Sequence, residues 1–334
     1  MNNIYKTVVS LLALSALFVG CGKTVVIKYD ADVKDYTPVV REILEASPKG
    51  NVTLRFGKGV YDFYPEQAAE EFLSLSNNCS GERRVAFLLK DMKNVRVIGE
   101  ETDFMFHGGI VPFAAKNSEK VEISGVSIDY DYPWTFEGEV LSADPVQRSF
   151  VVRVFPDNKY RIEGDRLFFG GYDWEYPMGE SIVFNPKTRR PWYDTAAYDH
   201  GYWSGEMGAR EIEPGIIEFT RLSARDVPPV GSIWDDKGPM QLNRSYPGIA
   251  LLSSKDIKVK DVHVYRSGAM ALIAEYCENI TVSGFSTAQH PGSPRMITAS
   301  ADATHFVDCK GLVLLEDSHF ESMLDDATNI HGVY

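Results

Sequence analysis

The sequence predicts an all-β fold: a right-handed parallel β-helix, a solenoid, with an inserted antiparallel β domain. Three observations carry this. Short strand-like segments with a shared start recur every 20–30 residues or so, a solenoid period. The recurrence is broken once, over residues 132–246. No sustained leucine-rich or helical repeat competes with it.

In chain order, residues 1–21 read MNNIYKTVVSLLALSALFVGC, with one positive charge, Lys6, ahead of an uncharged run over 7–20. That run is shorter than the roughly 20 apolar residues needed to span a bilayer. A charged start, an apolar middle and small closing residues form a signal peptide. Its end, Val19-Gly20-Cys21-Gly22, resembles a bacterial lipobox, with Phe18 an imperfect fit where Leu is usual. The resemblance implies that Cys21 becomes the acylated first residue of a lipoprotein, lipid-anchored in the cell envelope on the outer membrane or facing the periplasm. Membrane attachment is then through that anchor alone.

Residues 22–131 and 247–334 are the expected β-helix. The repeated segments are KNVRVIG (93–99), EKVEISGVSI (119–128), KDIKVKDVHV (255–264), ENITVSGF (278–285) and KGLVLLEDSHF (310–320). Each opens on a polar, Asn or Gly residue and alternates β-branched residues with period two, a strand signal. Val95 to Val121 spans 26 positions and Ile257 to Ile280 spans 23, about one coil each. A short helix over 35–47 ends at Ser47-Pro48-Lys49-Gly50 and suits a cap on the first coil. Residues 132–246 are rich in Pro, Gly, Trp and Tyr and hold alternating pieces such as SFVVRV (149–154), which suggests a small antiparallel barrel.

The net charge of −13 argues against a nucleic-acid partner. After Cys21, only Cys79, Cys277 and Cys309 remain, an odd number that indicates no disulfide framework. Cys277 and Cys309 each open a repeat and read as core or turn positions. No zinc, EF-hand or phosphate-loop motif is present, so no metal or cofactor is expected.

The densest polar cluster lies over residues 300–334. Asp302 precedes the adjacent pair Asp325 and Asp326 by 23 and 24 positions, one coil. One coil apart in sequence places three carboxylates in neighbouring layers. Crowded carboxylates favour keeping a proton on one member, which supplies an acid and a base in one site. Glycoside hydrolysis needs that pair. Adjacent residues on a strand point to opposite faces, so the pair shares a cleft only where the chain bends. His305, Asn329 and His331 lie in the same cluster and are candidate sugar-binding groups, although each alone would serve equally in solenoid packing. Trp134, where the solenoid meets the insertion, is a candidate stacking platform, although large aromatics more often fill cores. A polysaccharide depolymerase, hydrolase or lyase, and a non-catalytic carbohydrate-binding protein fit the same residues.

The strings SADATHF (300–306), CKGLVLLEDSHFESMLDDATNIHG (309–332) and NRSYPGIALLSSKDIKVKDVHVYRSGAMALIAEYCENITV (243–282) resemble glycoside hydrolase family one hundred and ten, the Bacteroides-type α-1,3-galactosidases. The resemblance runs from about Lys23 onward. It implies an exo-acting enzyme that removes terminal α-1,3-linked galactose from glycans such as the blood group B antigen, with inversion. It also implies that Asp302, Asp325 and Asp326 are the catalytic carboxylates. By a further likeness to β-helix polygalacturonases, Asp325 is the general acid, and Asp302 and Asp326 form the base. Family members continue for several hundred residues beyond this point, so the β-helix is expected to be incomplete here and the chain to show weak or no activity.

Overall fold

The computed structural model describes residues 16–19, 22–193, 207–222 and 226–333. Cys21 and most of the expected signal segment lie outside the described residues. The parallel β-helix expected from the sequence is the architecture observed.

One long sheet stacks Gly22–Ile27, Gly50–Phe56, Lys93–Phe106, Glu119–Tyr130, Lys255–Lys260, Glu278–Ser283 and Lys310–Glu316, each parallel to the last. A second runs from Gly81–Lys90 through Ile110–Lys116, Ile249–Leu252, Leu272–Glu275 and Thr304–Val307 to Thr328–His331. Period-two alternation sends one set of side chains inward. In register these form continuous columns, such as Val25–Leu54–Val97–Ile123–Val259–Val282–Leu315. All but the last of these are fully buried. An aromatic column, Phe56, Phe63, Phe87, Phe104, Phe106 and Phe113, fills the first coils.

The repeat's polar start has a backbone cause. Asn51, Asn94, Lys120, Asp256 and Asn279 hold one corner with φ between 53° and 58°. Asn and Asp tolerate this left-handed conformation better than other side chains. Their side chains also bond between coils, Asn94 Nδ2 to Asn51 Oδ1 at 2.8 Å and Asn279 Nδ2 to Asp256 Oδ1 at 3.0 Å. At another corner the backbone amide of each coil is satisfied by the next coil's side chain. Met92 N donates to Ser118 Oγ (3.0 Å), Ser118 N to Ser254 Oγ (3.0 Å) and Ser254 N to Cys277 Sγ (3.5 Å). Cys277 is thus a buried turn position.

The helix forms over Thr37–Glu45 and buries Val39, Val40, Ile43 and Leu44 at the start of the solenoid. Between Tyr130 and Ile249 the chain leaves the stack. Phe136–Asp144, Ser149–Val154, Ser181–Asn185, Gly208–Glu213, Ile216–Thr220 and Ile233–Asp236 join an antiparallel sheet, and a smaller one holds Lys159–Glu163, Arg166–Gly170 and Glu175–Pro177. Phe150, Phe219 and Trp234 pack within about 5 Å of one another as its core, at 4.9–5.2 Å between centroids.

Outside the columns, His107 bridges two coils. Its ring bonds Asp131 through Nδ1 and Asp62 through Nε2, both at 2.9 Å, and stacks on Tyr64. Burial opposes protonation of the imidazole, but the two carboxylates outweigh it and push the group up to about 9. A group with a raised folded pKa stabilises the fold fully below its unfolded value and loses that contribution as pH rises through the folded one. In thermal unfolding, the Tm deficit of His107→Gln relative to the parent should be widest below pH 6.5 and shrink toward pH 9. A deficit constant over that window would contradict the assignment.

Candidate functional site

Three consecutive coils bend at the same place before entering the second sheet. Ser267, Ala299 and Met323 pair in parallel there. Thr298 N donates to Ser322 O (2.9 Å), Leu324 N to Ala299 O (3.0 Å), Ala271 N to Asp302 O (3.0 Å) and Ala303 N to Asp326 O (2.9 Å). Because Thr304 is in register with Thr328, Asp302 and Asp326 occupy equivalent positions in successive coils. The chain is bent, not extended, at Asp325, so strict strand alternation does not govern the adjacent pair. The bend that Asp325 and Asp326 need in order to face one cleft is present.

The three carboxylates differ in environment. Asp302 is buried, 1% exposed, and its Oδ2 bonds His305 Nδ1. His305 Nε2 meets His331 Nε2 at 2.8 Å, and His331 Nδ1 meets Gly332 O at 2.9 Å. A carbonyl only accepts, so His331 Nδ1 carries a proton. Both ring nitrogens of each histidine are engaged, which leaves neither free for a sugar hydroxyl in this arrangement. Asn329, in register with His305, is half-buried and remains beside them.

Asp325 is exposed and pairs with Arg244 at 2.5 Å. Asp326 is exposed too. Asp302 and Asp325 thus have unlike partners, a histidine chain for the first and a guanidinium for the second. Arg244 lies at the end of the insertion, outside the repeated segments. Its part in the site was not legible in sequence spacing.

Trp134 is only 3% exposed. Trp174 stacks on it at 4.4 Å and Tyr246 at 4.7 Å, each near-parallel. Gly268 leaves room for it, since a Cβ there would meet the indole at 2.6 Å. Trp134 therefore seals the junction between solenoid and insertion and presents no ring face to a sugar. Among the described residues, no group of three or more His, Cys, Asp or Glu side chains is placed to hold a metal ion. No described helix is long and apolar enough to cross a membrane.

A parallel solenoid carrying a corner of aspartates and broken once by an antiparallel insertion is the class that fold and site define. Comparison with known proteins narrows it. Residues 136–233 match the GLAA-B beta-barrel domain I. The chain is 30% identical to alpha-1,3-galactosidase A of Shewanella woodyi over 302 residues, 90% of this chain and 49% of the relative. It is 32% identical to alpha-1,3-galactosidase B of Bacteroides fragilis over 90% of this chain and 50% of the relative. The same identity and share of this chain hold for alpha-1,3-galactosidase B of Akkermansia muciniphila, with 37% of that relative covered. Across 90% of its own length this chain is thus a homologue of proteins named α-1,3-galactosidase, as the sequence resemblance implied. The chain spans about half the length of the first two of these relatives.

If Trp134 is packing rather than platform, Trp134→Ala should lower unfolding stability by about 3–5 kcal/mol in a denaturant titration. A loss under about 1 kcal/mol would mean the ring is not the seal described.

Proposed function

We propose that this chain carries the catalytic corner of an exo-acting α-galactosidase that hydrolyses terminal α-1,3-linked galactose, as on the blood group B antigen, with inversion. The observation that carries the reading is the coincidence of three aspartates at one bent corner with homology, over 90% of the chain, to proteins named α-1,3-galactosidase.

In this reading Asp325 protonates the departing glycosidic oxygen, and Asp302 with Asp326 takes a proton from the attacking water. Water enters on the face opposite the leaving group, so the galactose is released as the β-anomer and the acid and base are regenerated by one proton each. Arg244 orients Asp325. The histidine chain holds Asp302 Oδ2, leaving Oδ1 for the water. His305 and His331 act on the base rather than on the sugar. Asn329 is the residue of this cluster proposed to contact it.

Galactose release from an α-1,3-galactosyl disaccharide and a blood group B trisaccharide tests the reading. Asp325→Asn should lower the rate on the order of 10²–10⁴-fold, the usual worth of a general acid, and proton NMR of early product should show β-galactose. α-Galactose as the first product, or release by Asp325→Asn at the parent's rate, would overturn it. We further propose a lipid anchor at Cys21, which holds the protein in the cell envelope. Palmitate labelling that persists in Cys21→Ser would refute the anchor.

A further inference from the structure

Segment 289–300 leads into Asp302, and the insertion grips it with charged side chains as well as apolar ones. Arg295, 1% exposed, pairs with Glu137 (3.0 Å) and Asp157 (3.0 Å) and donates to Thr135 O (2.7 Å). Glu137, fully buried, also accepts the backbone amides of Met296 (2.6 Å) and Ile297 (3.4 Å). Arg189 donates to Arg295 O at 2.8 Å. Further along, Lys237 lies 3.1 Å from Glu180 and 3.5 Å from Ser300 O. Ser300 Oγ donates to Asn243 O at 2.6 Å, and Asn243 Nδ2 to Glu180 at 3.1 Å.

The grip reaches both halves of the aspartate corner. Residues 298–300 stack between Ser267 and Ser322–Leu324, and Leu324 packs with Phe155, Phe184, Ile233, Met296 and Ile297. Leu324 adjoins Asp325, so the insertion touches the coil of Asp302 and the coil of Asp325 and Asp326.

Apolar packing would hold two surfaces together at least as well, because desolvating buried charges offsets much of their attraction. What directional ion pairs and amide bonds supply is one register. Here they persist in an adverse setting: Asp235 is fully buried beside Glu137 and Asp236, and burial with those like charges holds its carboxyl well above the usual range.

We propose that the inserted domain is a positioning element of the active site, in which Glu137 and Lys237 fix segment 295–300 and thereby the spacing of Asp302 from Asp325 and Asp326. This rests on the galactosidase reading for its catalytic consequence but not for its structural one. Glu137 and Lys237 do not touch the substrate. They act through the backbone, and misplacement of a reacting group by about 1 Å can cost on the order of a hundredfold in rate.

The test compares Glu137→Gln, Lys237→Met and, as a control for lost stability, Phe219→Leu in the insertion's own core, all in the full chain. Amide hydrogen exchange is read by mass spectrometry, alongside kcat and KM on the α-1,3-galactosyl disaccharide. Both junction variants should speed exchange over 298–304 and 322–327 while the insertion's sheet stays protected. They should lower kcat at least about tenfold with KM within about twofold. Phe219→Leu should speed exchange in the insertion and leave kcat near the parent's. Lys237→Met keeps the test alive should Glu137→Gln fail to fold. Unchanged exchange at the corner in both variants, or a kcat loss that Phe219→Leu reproduces, would overturn the proposal. In a parent that releases no galactose, corner exchange alone decides the positioning, and α-galactose as first product would sink the functional reading alone.

Discussion

Every inner coil of this molecule must hydrogen-bond two neighbours along its length, and that requirement fixes the rest. Parallel strands about 4.8 Å apart stay in register only if each coil returns to the same place. The corners are therefore as constrained as the strands. The left-handed residues from Asn51 to Asn279 and the amide-to-hydroxyl ladder through Ser118, Ser254 and Cys277 enforce that return. The apolar columns follow from it, because residues that recur in step are stacked in step.

The same requirement explains what could be read from the sequence. Stacked columns leave a periodic trace, so the segments at 93–99, 119–128, 255–264, 278–285 and 310–320 announced both the fold and the spacing of Asp302 from Asp325. Two early coil strands, Gly22–Ile27 and Gly50–Phe56, precede that trace and were not among the repeats recognised. Nothing periodic governs the insertion. Glu137, Lys237 and Arg244 reach the corner through a fold whose pairings are antiparallel and irregular in spacing, so no sequence interval marks them. Trp134 lies at the junction, but its partners Trp174 and Tyr246 are distant in sequence, and only their convergence buries the ring.

The aspartate corner shows how one repeated backbone geometry yields unlike chemistry. Asp302 and Asp326 hold equivalent positions one coil apart, yet one is buried against a histidine and the other is exposed. The difference comes from what the neighbouring segments supply: His305 and His331 on one side, Arg244 from the end of the insertion on the other. Backbone symmetry sets where the carboxylates sit, and the departures from symmetry set what each can do.

Ser118 and Ser254 bond directly although 136 residues separate them in sequence. Lys255–Lys260 pairs directly on Glu119–Tyr130, so the excursion from Tyr130 to Ile249 takes the place of one turn within a coil. The entropic cost of closing such a loop grows only slowly with its length, and no strand of the stack changes register to admit it. Such a corner is a natural port for evolutionary traffic. A module can be lengthened, trimmed or exchanged there while the scaffold's hydrogen bonding is untouched, and each new occupant overlooks the same carboxylates. Change of specificity in this architecture can then proceed by replacing an overhang instead of rebuilding a core.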